Sequence, residues 1–271
     1  MELTRRSGGR RAAHAGTWYD ADCTSLKSQL HCWLDSSSKI CDGRIKALIC
    51  PHAGLRFSGY TAACAWKQVD PSNIKRIFLL GPSHYKYFIG VALPPKHCEE
   101  YLTPLGGLSL DTEVLEAFRS NGTFCELSPA EDEEEHSLEL MLPFIRHIFP
   151  EGIKIIPMIV GELRQQEECQ KFADVLIDYF LHDLLDTAAA RNDKGFSTKL
   201  IAYSQVGFDA LGCWLCALRF KVCQSLSASD SPHAEAMLVL KEVAYILQSD
   251  RGSCVTLFIS TMAGQLLHSE A

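Results

Sequence analysis

Two histidines follow apolar segments that have the length of buried strands. His52 comes two residues after the apolar run 45–50, and His84 comes four residues after the run 77–80. Short apolar runs that end in turn residues are typical of buried parallel strands. Ligands bind in the crevice at the carboxyl ends of such strands, so the two histidines are predicted to line one pocket. Imidazole binds copper and iron, which makes His52 and His84 candidate metal ligands.

The alternative for each histidine is a structural role. A lone histidine at a strand end is more often a core residue that bonds a backbone carbonyl. The repeated arrangement favours the pocket. An open catalytic metal site typically has about three protein ligands, and the strand ends supply only His52 and His84.

A second pair of candidate pocket residues follows the acidic run 131–135. On a helix, their spacing of three would place His136 and Glu139 on one face. They could orient the metal ligands from behind, or they could cap and flank a helix, and the sequence supports both interpretations equally. The acidic run itself is interpreted as a solvated helix entry, because carboxylates stabilise a helix N-terminus.

Composition limits the class of protein. The 271 residues are 47% hydrophobic, which is enough for one α/β domain with a substantial core. The formal charge of -7 argues against nucleic acid as the principal partner. No apolar stretch approaches the roughly 18 residues needed to cross a bilayer, so no membrane insertion is predicted. The twelve cysteines stand singly in apolar patterns, which favours reduced thiols and a cytoplasmic protein, with the nucleus as a second compartment.

The order of elements predicts an α/β fold with a largely parallel central sheet flanked by helices. A helix should begin at Asp22 or Thr24, because apolar residues recur after it at helical spacing. The run 54–59 resembles a tight loop, with a helix predicted over 60–69. The segment 85–93 alternates weakly and breaks at Pro94 and Pro95, so it is predicted to be an excursion over the site rather than a core strand.

Several motifs together resemble the Memo family, whose members mediate ErbB-driven cell motility and share their fold with class III extradiol dioxygenases of the LigB type. The matching motifs are His14–Tyr19, Pro51–Gly54, Gly81–His84, Glu135–Glu139 with Leu142 and Pro143, and Ile155–Gly161. The resemblance implies that His52 and His84 line a pocket, together with a third histidine after a Ser-Ser-Asp strand end and a cysteine late in the chain.

The chain departs from the family pattern after residue 182. The third histidine element is absent, and the strand-like stretch 199–205 resembles one that the family carries near its C-terminus. Part of the C-terminal half of the fold is therefore predicted to be missing. We expect a basic flexible N-terminus over 1–13, an incomplete Memo-like α/β domain over 14–205, and a divergent C-terminal tail over 206–271.

Two short motifs in the tail also contain metal-ligand residue types. Asp230 and His233 form an Asp-x-x-His pair, but Pro232 between them fits a helix start better. Cys213 and Cys216 form one C-x-x-C within apolar residues, which fits a helix core better than a zinc or redox site.

The resemblance implies three alternative functions. The leading one is a signalling adaptor that binds a receptor-derived or adaptor peptide in the histidine-lined pocket and links receptor tyrosine kinase activation to cell migration and the cytoskeleton. The second is a redox enzyme that uses copper or iron bound by His52 and His84. The third is an inactive truncated product, because metal chemistry depends on a complete set of ligands.

Overall fold

The structure, a computed structural model, describes residues 8–40, 44–165, 167–176, 199–205, 243–248 and 255–261. These residues form an eleven-stranded sheet flanked by helices. The strands are β1 Gly9–Arg10, β2 Arg44–Pro51, β3 Arg76–Pro82, β4 Val91–Leu93, β5 Glu100–Thr103, β6 Gly106–Leu110, β7 Cys125–Glu126, β8 Lys154–Val160, β9 Lys199–Gln205, β10 Val243–Gln248 and β11 Val255–Thr261. The helices are α1 Cys23–Asp35, α2 Leu55–Trp66, α3 Thr112–Asn121, α4 Pro129–Glu134 and α5 Leu142–Ile148; residues 167–176 are also helical.

The centre of the sheet is parallel and its margins are mixed. Strands β8, β3, β9 and β2 lie side by side in that order, and all three pairings between them are parallel. Antiparallel pairs extend the sheet at both sides, through the β5–β6 hairpin and through β11, which pairs with β2. The predicted α/β class, with helices flanking a central sheet, is confirmed.

The central strands form because their side chains are apolar on both faces. In β3 and β8, all residues from the second to the fifth position are buried. Such strands are covered by helices on each side, which is why the sequence shows continuous apolar runs rather than alternation. The runs 45–50 and 77–80 and the stretch 199–205 are strands, as predicted.

Helix α1 also follows the prediction. Asp22 is its N-cap and accepts a hydrogen bond from the backbone N–H of Ser25. Leu26, Leu30 and Leu34 are buried at the spacing of one helical face. This helix packs against α2 and α5, and α2 in turn contacts β2, the strand that leads to His52.

The loop predicted over 54–59 is wrong, because α2 begins at Leu55. The hydroxyl of Ser58 donates to the carbonyl oxygen of Ala53 at 2.8 Å and so stabilises the first turn. Gly59 lies inside the helix, where a Cβ atom would come within 2.4 Å of the Trp33 ring of α1. The glycine therefore permits close packing of two helices, and it does not mark a turn.

The excursion predicted over 85–93 is wrong for its last three residues. Val91–Leu93 form the fully buried strand β4, which pairs antiparallel with β8. A three-residue strand is too short for alternation to reveal it. The preceding residues, Tyr85 to Tyr87, are exposed, as expected for an excursion.

Other predictions concern the ends of the chain. Within the predicted N-terminal segment 1–13, residues 8–13 are described, and Arg10 is buried and paired in β1. Within the predicted tail 206–271, the described parts are β10 and β11, and the motifs at 213–216 and 230–233 lie outside the described residues. The domain boundaries stay a prediction. No helix in the described part of the chain is long and apolar enough to span a membrane.

Candidate functional site

Three histidines from separate loops meet at the carboxyl end of the sheet. His52 follows β2, and His84 follows β3. Strand β9 lies between these two strands, yet the ring centroids of His52 and His84 are 4.7 Å apart. The ring of His136 lies 4.9 Å from His52 and 4.8 Å from His84. One ligand atom of each histidine lies within 4.8 Å of the others. We call His52, His84 and His136 the histidine cluster.

The structure separates His136 from Glu139. The backbone becomes extended at Glu135, where α4 ends, and a short 3-10 turn begins only at Glu139. The prediction that the pair shares one helical face is therefore wrong. The His136 side chain retains 18% exposure in the pocket, whereas the Glu139 side chain is fully buried beneath it.

Glu135 joins the loops that carry two of the histidines. Its carboxylate accepts backbone N–H groups from His84 at 2.6 Å and Tyr85 at 3.1 Å on one loop. It also accepts those of His136 at 2.8 Å and Ser137 at 2.9 Å on the other. Burial opposes the charged form, but the His84 side chain and these N–H groups lower the pKa of Glu135 well below its usual range. A charged carboxylate thus fixes the spacing of the two loops.

The interpretation of 131–135 as a solvated helix entry is correct for only part of the run. Ser128 and Glu131 form a capping box at the start of α4, as a helix entry requires. Asp132 and Glu135, however, are each only 3% exposed. Both side chains are buried and accept hydrogen bonds: Asp132 from the hydroxyl of Tyr101, and Glu135 from the backbone N–H of His84.

Two of the three imidazoles, those of His52 and His136, favour the neutral form. Burial lowers the pKa of His52 to about 4, and the neighbouring His84 and His136 add to the effect. Burial also lowers the pKa of His136, although Glu135 opposes this. A neutral imidazole has a free lone pair, which is the form that binds metal ions.

Under the cluster lies a hydrogen-bonded layer around Glu139. One carboxylate oxygen accepts the backbone N–H of His14 at 2.9 Å and the hydroxyl of Tyr19 at 2.8 Å. The other is 3.0 Å from Nδ1 of His14 and accepts Nη1 of Arg10 at 2.8 Å. Burial opposes the charge, but the His14 and Arg10 contacts lower the pKa of Glu139. Glu139 therefore acts on the histidine cluster indirectly, by positioning His14.

The segment that begins at His14 lies beside the histidine cluster. The ring of Trp18 lies 4.5 Å from His136 and 5.8 Å from His52, and the ring of His14 lies 5.4 Å from His136. Sequence reasoning did not assign His14 or Trp18 to the site, although both belong to the motif His14–Tyr19. Arg10 carried no signal, because it stands among other N-terminal arginines.

The histidine cluster fits a metal ion by its donor set. Three partly exposed imidazoles converge, and a carboxylate oxygen of Glu135 lies 3.4 Å from Nδ1 of His84 and 3.7 Å from Nδ1 of His136. A carboxylate next to one ring nitrogen orients a histidine ligand and increases its basicity. The cluster also supplies His136 as a candidate third ligand beside the predicted His52 and His84.

Comparisons with known proteins show which family the chain resembles. The family model for Memo-like proteins matches residues 10–187. The chain is 41% identical over 173 residues to "Protein memo-1 homolog" of Caenorhabditis elegans, covering 62% of this chain and 49% of that protein. It is 39% identical over 180 residues to "Protein MEMO1" of Danio rerio and of Homo sapiens, covering 65% of this chain and 59% of each. The chain thus spans about half to three fifths of the length of these curated relatives.

Proposed function

The chain belongs to the Memo family, and from this premise we propose that it is a signalling adaptor. Its histidine-lined pocket receives a receptor-derived or adaptor peptide, and this contact links receptor tyrosine kinase activation to cell migration and the cytoskeleton. Family membership supports the proposal in general terms. One feature of the surface supports it for this chain.

Exposed apolar side chains concentrate on the two segments that follow His52 and His84. Of the six exposed large hydrophobic residues in the described part of the chain, five lie within eight positions after one of these histidines. They are Phe57, Tyr60, Tyr85, Tyr87 and Ile89. Exposed aromatic side chains contribute strongly to protein and peptide binding. These exposed residues make the segments after His52 and His84 suited to contact a partner.

Peptide binding by the full chain tests the adaptor function. Peptides from an ErbB receptor tail, with and without tyrosine phosphorylation, are titrated against wild type and a Phe57→Ser, Tyr85→Ser double variant. We expect the double variant to bind at least about tenfold more weakly, because buried aromatic contacts dominate such interfaces. Ile40→Ser is the matched control, since Ile40 is 51% exposed but precedes β2 at its opposite end. Equal affinities in all three proteins would contradict the proposal.

The second candidate function is a copper- or iron-dependent redox enzyme. It is favoured by the convergence of His52, His84 and His136, whose ligand atoms lie within 4.8 Å of one another. A bound copper or iron ion would supply electron transfer, with open coordination positions for oxygen. The protein would bind the ion through the cluster, orient two of the ligands through Glu135, and exclude water on the Trp18 side.

Metal titration with an oxygen-consumption assay tests this candidate. We expect His52→Ala, His84→Ala and His136→Ala each to lower copper or iron affinity by at least about tenfold, since even outer partners of ligands contribute that much. His97→Ala is the control, because His97 is exposed and lies outside the cluster. Affinity that persists in the cluster variants would exclude this site. A wild-type chain that binds neither peptide nor metal would support the inactive truncated product.

A further inference from the structure

The guanidinium of Arg10 lies beneath the pocket and bonds in three directions. Arg10 comes from the two-residue strand β1 and is 5% exposed. Its Nη1 donates to Oε2 of Glu139 at 2.8 Å, and its Nη2 donates to the carbonyl oxygen of Glu135 at 2.6 Å. Its Nε donates to the carbonyl oxygen of Asp132 at 2.8 Å. One side chain thus connects the N-terminal segment to α4 and to the turn after it.

Both main partners of Arg10 position pocket residues. Glu139 bonds the backbone N–H and the ring of His14, which lies beside His136. Glu135 bonds the backbone of His84 and of His136 through its carboxylate. A displacement of either glutamate would therefore move a histidine.

We infer that Arg10 is a positioning residue of the pocket, an inference that rests on the proposed function of the histidine cluster. Arg10 fixes the position of the Glu139 carboxylate, which in turn positions His14 and the residues after it against His136. Arg10 also stabilises the turn at Glu135 through its hydrogen bond to the carbonyl oxygen of that residue. This contact sets the position of His136 relative to His84. The site therefore depends on a residue of the N-terminal segment.

The charge balance and the spread of acceptors favour arginine over lysine at this position. Glu139 is fully buried and ionised, and a buried carboxylate without its cation is strongly destabilised. A planar guanidinium reaches acceptors on several sides at once, whereas a lysine ammonium is a single point charge on a flexible chain. Lysine could neutralise Glu139, but it would leave the carbonyl oxygens of Asp132 and Glu135 without their donor.

Arg11 provides a matched control within the same segment. It is the next residue, carries the same charge, and forms an exposed ion pair with Glu133. Its side chain is 61% exposed, compared with 3% for Arg10. Exposed pairs of this kind contribute little to stability. A variant of Arg11 therefore removes an arginine while leaving the layer beneath the pocket in place.

Histidine-ring NMR of the full chain, combined with Co²⁺ titration, tests the inference. In Arg10→Met we expect the His14 and His136 ring resonances to shift and Co²⁺ affinity to fall about tenfold to a hundredfold, the range typical of residues that support ligands. Arg10→Lys should recover part of the affinity. Arg11→Met should retain wild-type spectra and an affinity within about twofold. Wild-type ring resonances and affinity in Arg10→Met would overturn the inference.

Two further results keep the test decisive. If Arg10→Met does not fold, Glu139→Gln replaces it, because the amide keeps the side-chain shape and removes the charge that Arg10 pairs with; unchanged His14 and His136 resonances would then overturn the inference. If the wild-type chain binds no Co²⁺, the metal candidate fails, while the ring resonances of the Arg10 and Arg11 variants still decide the positioning role.

Discussion

Asp132 is a buried carboxylate whose charge is only partly compensated. Its Oδ1 accepts the hydroxyl of Tyr101 at 2.6 Å, and Nε of Arg10 lies 3.8 Å away. Burial raises the pKa of Asp132 to about 6, against the opposing effects of Arg10 and Tyr101. Arg10 compensates incompletely because its guanidinium is also bonded to Glu139 and to backbone carbonyl oxygens.

Stability should therefore depend on the ionisation of Asp132. The folded protein binds the proton of Asp132 more tightly than the unfolded chain, in which the pKa of Asp132 is 3.8. Protonation of Asp132 therefore stabilises the folded state fully below about pH 4, and this stabilisation is lost as the pH rises through about 6. The asparagine of Asp132→Asn cannot ionise. The free energy of unfolding of this variant, relative to that of wild type, should therefore increase by on the order of 2 kcal/mol from pH 4.5 to pH 7. Urea unfolding at both pH values measures the difference.

Glu133→Gln is the control for that measurement. The Arg11 hydrogen bonds lower the pKa of Glu133, so its stabilisation is present above the unfolded pKa and is lost as the pH falls. The free energy of unfolding of Glu133→Gln, relative to that of wild type, should therefore decrease as the pH rises. This change has the opposite sign to that expected for Asp132→Asn. The same pH dependence in both variants would contradict the assignment to Asp132.

At the residue scale, local sequence signals indicated two of the three clustered histidines, and their role in a pocket stays a prediction. His52 and His84 were placed in one pocket because each follows an apolar strand, and the structure brings them together. Arg10 and His14 could not be placed in this way. Their contacts to Glu139 span more than 120 positions of the chain, and only folding brings them near.

At the element scale, continuous apolar runs were reliable and short or tightly packed elements were not. Strands β2 and β3 were predicted because parallel strands buried on both faces have continuous apolar sequences. Strand β4 is too short to show a period. The start of helix α2 was predicted too late, because Gly59 is typical of a turn. In the structure the absence of a Cβ atom at Gly59 makes room for the ring of Trp33.

The helix α3 shows when local chemistry is sufficient. Asp111 caps its start by accepting the N–H of Val114, and Gly122 ends it in a left-handed conformation. Both signals lie within the sequence of the helix and its two flanking residues. Capping residues thus mark both ends of this helix within the local sequence, whereas the position of His136 beside His52 depends on the whole sheet.

At the scale of the whole molecule, the sheet is completed by segments from distant parts of the chain. Strand β9 lies between β2 and β3, and β11 pairs with the other edge of β2. The family model ends at residue 187, before these strands begin. The strand that delivers His52 thus depends on pairing partners outside the matched region, because an unpaired edge would expose its backbone N–H and C=O groups.

This arrangement predicts that breaking β11 weakens β2 selectively. Phe258 pairs with Leu48 of β2, whereas Val255, at the start of the same strand, pairs only with β10. Proline removes a backbone donor and disrupts a ladder, so Phe258→Pro should accelerate amide hydrogen exchange over residues 44–48 by at least about tenfold. Val255→Pro should have a much smaller effect there, and the amides of β3, which pairs with β8 and β9, should stay protected in both variants. Exchange over 44–48 that is equal in the two variants would show that β2 does not depend on β11. Faster exchange in β2 and β3 together would instead show that the sheet opens as one cooperative unit.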